Sequence, residues 1–288
     1  MYGWLTDALE GGGRVVTANR RLARVLSDSH ARHRVSAGET AWRTPPIDSW
    51  QDWLRSVVDS AEFQDDLPLR INGQQSALIW DDCLRREFDE HPSGLAALVR
   101  MSRDARQRLA DWRIDVKTVA RLTSSDDERL FSSILGRYIA TLERRGWTDD
   151  AALGECALSL VSGGQLAVEK SITFAGFLRE SPIFRALCDA LEGNGVDVRI
   201  APSDADRRSL VKHVFDEPGG ELGAAGVWAR ALLNESPGAS IAIIADGLDT
   251  DAQTPVRQVR DSATPGWQLG DPAVRDSVNV SYGGALGS

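Results

Sequence analysis

The sequence predicts an α/β fold, a parallel sheet core interrupted by a large helical insertion. Three observations predict it. A β-branched run, Val15-Val16-Thr17, opens directly into a helix pattern with Leu22, Val25 and Leu26 on one face. From Asp48 to about Gly164 apolar residues recur at helical spacing throughout. After Gly163-Gly164 the period changes, and short apolar runs alternate with helices again.

Taken in order, residues 3–10 read as a short helix ended by Gly11-Gly12-Gly13. The first strand follows, and Asn19 or Thr17 is placed to cap the helix after it, because a short side-chain oxygen accepts an unpaired first-turn N–H. Pro45-Pro46 then punctuates the chain. Trp50, Trp53, Leu54, Val57 and Val58 sit at i, i+3, i+4, i+7 and i+8, an amphipathic helix capped by Asp48 or Ser49. Ala77, Trp80, Leu84 and Phe88 make a second apolar face. Leu95, Leu98, Val99, Ala105, Leu109 and Trp112 make a third, and Leu130, Ile134, Tyr138, Ile139 and Leu142 a fourth. Tryptophan at such spacing is core material rather than a base-stacking platform.

Beyond the insertion, Ser171 to Ala175 reads as a buried strand. Ser181-Pro182 starts a helix through Leu187 and Leu191, with proline at the first helical position. Val196 to Ala201 is the next strand, so the three form a βαβ unit expected to be parallel and right-handed. Ser209 to Phe215 is a further strand candidate, Glu221 to Leu233 a helix, and Ile241 to Ile244 a central buried strand. An irregular tail with Pro255, Pro265 and Pro272 leads to a last strand-like piece, Ser277 to Tyr282. The expected division is therefore a core of 1–48 with 165–208, a helical subdomain of 49–164, and the truncated start of a second α/β unit at 209–288.

Charge narrows the function classes. The net charge of −9 argues against a general nucleic-acid coat, but the charge is unevenly placed. Arg14, Arg20, Arg21, Arg24, Arg32 and Arg34 stand against one acid, Asp28. Seven bases between Arg100 and Arg121 stand against Asp104, Asp111 and Asp115. Two basic islands on an acidic body suit a local anionic contact, or else two solvated helix faces. Cys83, Cys156 and Cys188 fit neither a zinc spacing nor a disulfide framework, which implies buried thiols in a reducing cytoplasm. The N-terminus has no basic, apolar leader pattern, and no stretch approaches a membrane span, so no membrane partner is expected.

A strand running into a helix N-terminus with arginines on its first turn is a physical recipe for holding phosphate. The same residues carry a resemblance. Thr17-Ala18-Asn19-Arg20-Arg21-Leu22-Ala23 resembles motif Ia of superfamily 1 helicases, in wording closest to the N-terminal part of AddB-like (RecB-like) bacterial DNA repair proteins. Pro45 to Leu54, Arg145 to Asp149, and Phe174 to Phe177 followed by Ser181-Pro182 support it. The resemblance implies a P-loop-NTPase-like sheet, here degenerate, in the N-terminal region of a recombination-nuclease protein whose nuclease domain lies further on. It implies that Thr17 and Asn19 donate hydrogen bonds to the phosphate or sugar of single-stranded DNA and that Arg20 supplies charge, with Arg21 and Arg24 extending the contact. Such contacts position a strand without reading its bases. Bracing a partner helicase or nuclease subunit is the companion expectation, and a protein-interaction scaffold without DNA contact is the alternative. Arg21 departs from the motif, which usually has a small residue there.

The residues of an ATPase are missing. A P-loop needs G-x-x-x-x-G-K-[ST], whose lysine reaches the β/γ-phosphates and whose hydroxyl holds magnesium. Gly11-Gly12-Gly13 precedes a strand instead of following one, and the only lysines are Lys117, Lys170 and Lys212. The strand Ile172-Thr173-Phe174 runs into Ala175-Gly176-Phe177, without the carboxylates that hold magnesium in a Walker B strand. No catalytic residue, cofactor or metal is expected. Asp115-Val116-Lys117 matches the end of a nuclease motif only as a tripeptide in a helical region, and His30 with His33 reads as a surface pair without a third ligand.

Overall fold

The computed structural model describes residues 2–61, 68–88, 94–164, 169–202, 211–245 and 253–269. The chain divides into two compact units, Met1–Asp204 and Ala205–Ser288. In chain order the first unit runs α1 (Gly3–Glu10), β1 (Arg14–Thr17), α2 (Arg20–Ser36), β2 (Ile47–Ser49), α3 (Trp50–Asp59), β3 (Leu69–Arg70), α4 (Gly73–Arg85), α5 (Leu95–Asp111), α6 (Val116–Leu122), α7 (Asp126–Arg145), β4 (Trp147–Thr148), a 3-10 turn (Asp150–Ala152), α8 (Leu153–Ser162), β5 (Ser171–Ala175), α9 (Pro182–Gly193) and β6 (Asp197–Ile200).

The fold is α/β, with a four-stranded sheet in the order β2-β1-β5-β6 and every pairing parallel. Because successive side chains of a strand point to opposite faces, β1 sends Val15 to one core and Val16 to the other. Val16, Ile172 and Phe174 face α3, α8 and α9, where Trp50 gathers Trp53, Phe177 and Phe184 at ring separations of 5.4, 5.6 and 5.6 Å. Val15 and Ala175 face Leu5 of α1 and Leu26 of α2. Covering both faces is what allows an all-parallel sheet of apolar strands to be stable.

The helical block has a core of its own. Trp80 stacks on Tyr138 with centroids 4.1 Å apart, among Cys83, Leu84, Ile134 and Leu135. The Tyr138 hydroxyl bridges Ser76 Oγ (2.9 Å) and Asp149 Oδ2 (3.1 Å).

Two short sheet segments lie where helix alone was expected. Ile47–Ser49 is an edge strand pairing Val15 with Ile47, so the insertion begins after the second strand of the sheet rather than the first. Leu69–Arg70 pairs in parallel with Trp147–Thr148, which ties the start of the block to its end. Both are too short to show a period-2 pattern, which is why periodicity passes over them. Trp112, assigned by spacing to a core face, closes α5 and is 54% exposed.

The second unit contains α10 (Pro218–Glu235) and α11 (Gln253–Ala263). The helix expected over Glu221–Leu233 is present within α10. Gly226 lets the two helices touch: a Cβ there would lie 2.6 Å from the Val259 carbonyl oxygen. The strand expected over Ile241–Ile244 is not formed, and Ile244 is 96% exposed. Residues 211–215 of the Ser209–Phe215 candidate likewise form no strand and are exposed. An apolar run becomes a strand only with a neighbour to take its N–H and C=O groups, and the described residues supply none here. Pro255 falls in the first turn of α11, where it displaces no helical hydrogen bond, so the expected irregular stretch is helix. Residues 277–282 lie outside the described residues.

Candidate nucleic-acid interface

The chain leaves β1 for β2 on one side, while β5 lies on the other. The C-terminal ends of β1 and β5 therefore flank the topological switch point, where open parallel sheets place ligands. In this chain the crevice is filled. The Ala18 N–H donates to the Ala175 carbonyl at 2.9 Å. Gly176, at φ +80°, gives way to Leu22, whose Cδ2 would be 2.5 Å from a Cβ at that position. What remains accessible is the outer side of the β1–α2 junction.

Thr17 is fully buried, and its hydroxyl sits 2.9 Å from the Asn19 carbonyl and 3.1 Å from the Asp48 carbonyl. Its hydroxyl proton is thus used inside the junction. The expectation that Thr17 donates to phosphate is corrected to a bracing role. Asn19 is the helix cap: its Oδ1 accepts from the Leu22 N–H at 2.9 Å, which leaves the side-chain amide outside. Arg20 reaches across to Asp52 of α3 with a two-pronged contact, Nε to Oδ2 at 2.9 Å and Nη2 to Oδ1 at 2.6 Å. Arg21 and Arg24 are exposed on the first turns of α2.

The basic island is less positive in space than in sequence. Arg14 is held by Asp48 and by Glu169 (2.5 Å), and Arg34 by Glu39 (2.8 Å). Asp52 is the hub that sequence reasoning missed. The Arg20 hydrogen bond, helped by Ser49 and by the charges of Arg20 and Arg55, draws its carboxyl down to about 2. Arg55 carries the chain of charges onward, from Asp52 (3.1 Å) to Asp150 (3.0 Å). A signal for Asp52 was present: Ser49 followed three residues later by an acid is a helix-start pattern. Ser49 Oγ indeed accepts from the Asp52 N–H at 3.3 Å and donates to its carboxylate at 2.6 Å.

The other candidates resolve into structural roles. Asp115 caps α6, accepting from the Thr118 N–H at 2.7 Å. His30 is not a surface residue: it is buried on the inner face of α2, and burial holds its imidazole below the usual value, while His33 is exposed. Among the described residues no cluster of three metal-ligating side chains occurs. Cys83 is buried and Cys156 and Cys188 half-buried, all free, and burial pushes the Cys188 thiol up to about 12. Among the described residues no helix is long and apolar enough to cross a membrane. No protein family matches the chain, and neither does any curated protein.

Proposed function

We propose that this chain is a non-catalytic, helicase-like N-terminal region of an AddB/RecB-like DNA repair protein, and that its β1–α2 junction grips the backbone of single-stranded DNA. The observation that supports this reading is the placement of Asn19, Arg20, Arg21 and Arg24 together on the exposed first turns of α2, at the end of a central parallel strand. A helix N-terminus with cations around it favours phosphate without selecting a base. The motif Ia resemblance, the missing P-loop lysine and the missing Walker B carboxylates favour a DNA-guiding role without ATP hydrolysis. The setting is the cytoplasm, where the three thiols stay reduced. The same unit is suited to brace a helicase or nuclease subunit.

Fluorescence anisotropy of a labelled single-stranded oligonucleotide across a salt series tests the proposal. Binding should weaken steeply with salt, losing about 0.7 in log–log slope for each phosphate contact removed. An Arg20→Glu/Arg21→Glu/Arg24→Glu variant of unchanged circular dichroism should not bind. Absence of binding by the folded wild-type protein at low salt would overturn DNA contact. A second reading, a protein-interaction scaffold, is favoured by one observation, the capture of Arg20 by Asp52.

A further inference from the structure

An open cavity of about 360 Å³ lies between α3, α4, α5 and the Asp150–Ala152 turn. One wall is α5, which presents Arg100, Arg103 and Arg106 at three-residue intervals on one face, and Arg55 of α3 joins them. Like charges at such spacing repel each other by a few tenths of a kcal/mol per pair. The acids at the cavity relieve this for Arg55 and Arg106 but not for Arg100 and Arg103. Asp149 is 4% exposed and engaged by the Tyr138 hydroxyl (3.1 Å) and the Ala152 N–H (3.2 Å), with Arg106 at 3.7 Å. Asp150 holds Arg55 at 3.0 Å and Arg70 at 3.6 Å. Asp104 is exposed at the rim and pairs with none of them.

Hydrogen-bond donors are therefore left over. Arg100 and Arg103 have no ion-pair or hydrogen-bond partner among the described residues. The Arg106 Nε is buried and unpartnered. Trp80, fully buried, lines the same cavity, and its indole Nε1 has no partner either. The N-terminus of α4 adds its positive dipole end at Gly73, where the Arg103 Nη2 lies 3.0 Å from the position a Cβ would take. A buried N–H donor without an acceptor costs stability, and guanidinium forks match the oxygens of phosphate and carboxylate in two-pronged geometry.

We propose that this cavity is a binding site for a phosphate monoester dianion, held by Arg100, Arg103 and Arg106. The site reads the phosphate and not a base, because the aromatic ring in its lining, Trp80, is fully buried and stacked on Tyr138. The inference goes beyond DNA contact at the β1–α2 junction and does not rest on it.

Isothermal titration calorimetry of the whole chain with inorganic phosphate, AMP, and a short oligonucleotide carrying either a 5′-phosphate or a 5′-hydroxyl tests the site. Phosphate or AMP should bind, and Arg100→Gln/Arg103→Gln should weaken binding about tenfold or more. Neither arginine supports another residue, so that variant keeps its circular dichroism. Gly73→Ala should also weaken binding, by displacing Arg103 while leaving the charge in place. Arg20→Glu/Arg21→Glu/Arg24→Glu should leave it unchanged, which separates this site from the junction. AMP binding indicates a free nucleotide as the source, and binding of the 5′-phosphorylated strand alone indicates a polynucleotide end. No binding of any phosphorylated probe by the folded protein, equal binding of the 5′-hydroxyl and 5′-phosphate strands by the Arg20→Glu/Arg21→Glu/Arg24→Glu variant, or an unchanged affinity for phosphate and AMP in Arg100→Gln/Arg103→Gln would each overturn the proposal.

Discussion

The two arginine-rich stretches look alike as charge counts and behave in opposite ways as structure. Around β1 and α2 the arginines meet carboxylates delivered from elsewhere in the chain: Asp48 and Glu169 at Arg14, Asp52 at Arg20, Glu39 at Arg34. On α5 the arginines Arg100 and Arg103 line a cavity whose acids Asp149 and Asp150 already hold other groups. Local sequence reports how much charge a segment carries. Whether that charge is spent depends on what the fold brings opposite it.

The comparison breaks first, and by the widest margin, at Asp149. Asp149→Ala removes a carboxylate that is 4% exposed, leaving the Tyr138 hydroxyl with Ser76 alone and Arg106 with no acid. Urea denaturation should show a loss of about 3 kcal/mol; a loss under about 1 kcal/mol would mean that the acids of the block are not what holds its arginines. Next comes Arg14→Ala, which strands Asp48 and Glu169 across the first sheet. Arg14 is 24% exposed in its side chain, so about 1–2 kcal/mol is expected by the same measurement.

Asp52→Asn sharpens the contrast because it reports stability and charge together. Asp52 is 37% exposed, so its ion pair is worth about 1 kcal/mol once solvent screening is allowed for. Its carboxyl is drawn down from 3.8 to about 2, so the contribution is fully present above about 4 and disappears as the pH falls through about 2. The stability gap between wild type and Asp52→Asn should therefore close over that acid window in a pH series of denaturation curves. Freeing Arg20 should also tighten single-stranded DNA binding at neutral pH. The smallest effect belongs to Arg100→Gln, which should change the unfolding free energy in urea by less than about 0.5 kcal/mol, or raise stability slightly by relieving repulsion along α5.

Much of the fold was readable because its signals are local. Asn19, Ser49 and Ser181 each cap the helix that their position announces, and Pro182 opens α9 as its fixed backbone angle requires. The alternation of Val15 and Val16 between two cores is a strand read residue by residue. What escaped was long-range. Ile47–Ser49 is a strand only because β1 lies beside it, and Ile241–Ile244 is none because no described neighbour does. His30 looked like surface on a basic helix, yet it faces inward. Of the candidate site, the placement of Arg20, Arg21 and Arg24 was legible, while the withdrawal of Thr17 and the capture of Arg20 depend on Asp48 and Asp52, which only the folded chain brings near.

The parallel pairing of β1 with β5 has a consequence in time. Arg14 and Glu169 meet across 155 positions of sequence, and closing a loop of that length in an open chain carries an entropy cost that delays contact. The β3–β4 pairing sits at the throat of that loop: the Leu69 N–H donates to the Gly146 carbonyl and the Ile71 N–H to that of Thr148, each at 2.9 Å. Once the helical block condenses around Trp80 and Tyr138, its two ends are held side by side, and the search left to the sheet becomes a short one. Pulsed hydrogen exchange should find the amides of Trp80 and Tyr138 protected before that of Phe174; simultaneous protection would show that the block and the sheet form in one step. On this order of events, substitutions deep in the helical block slow the assembly of strands they never touch.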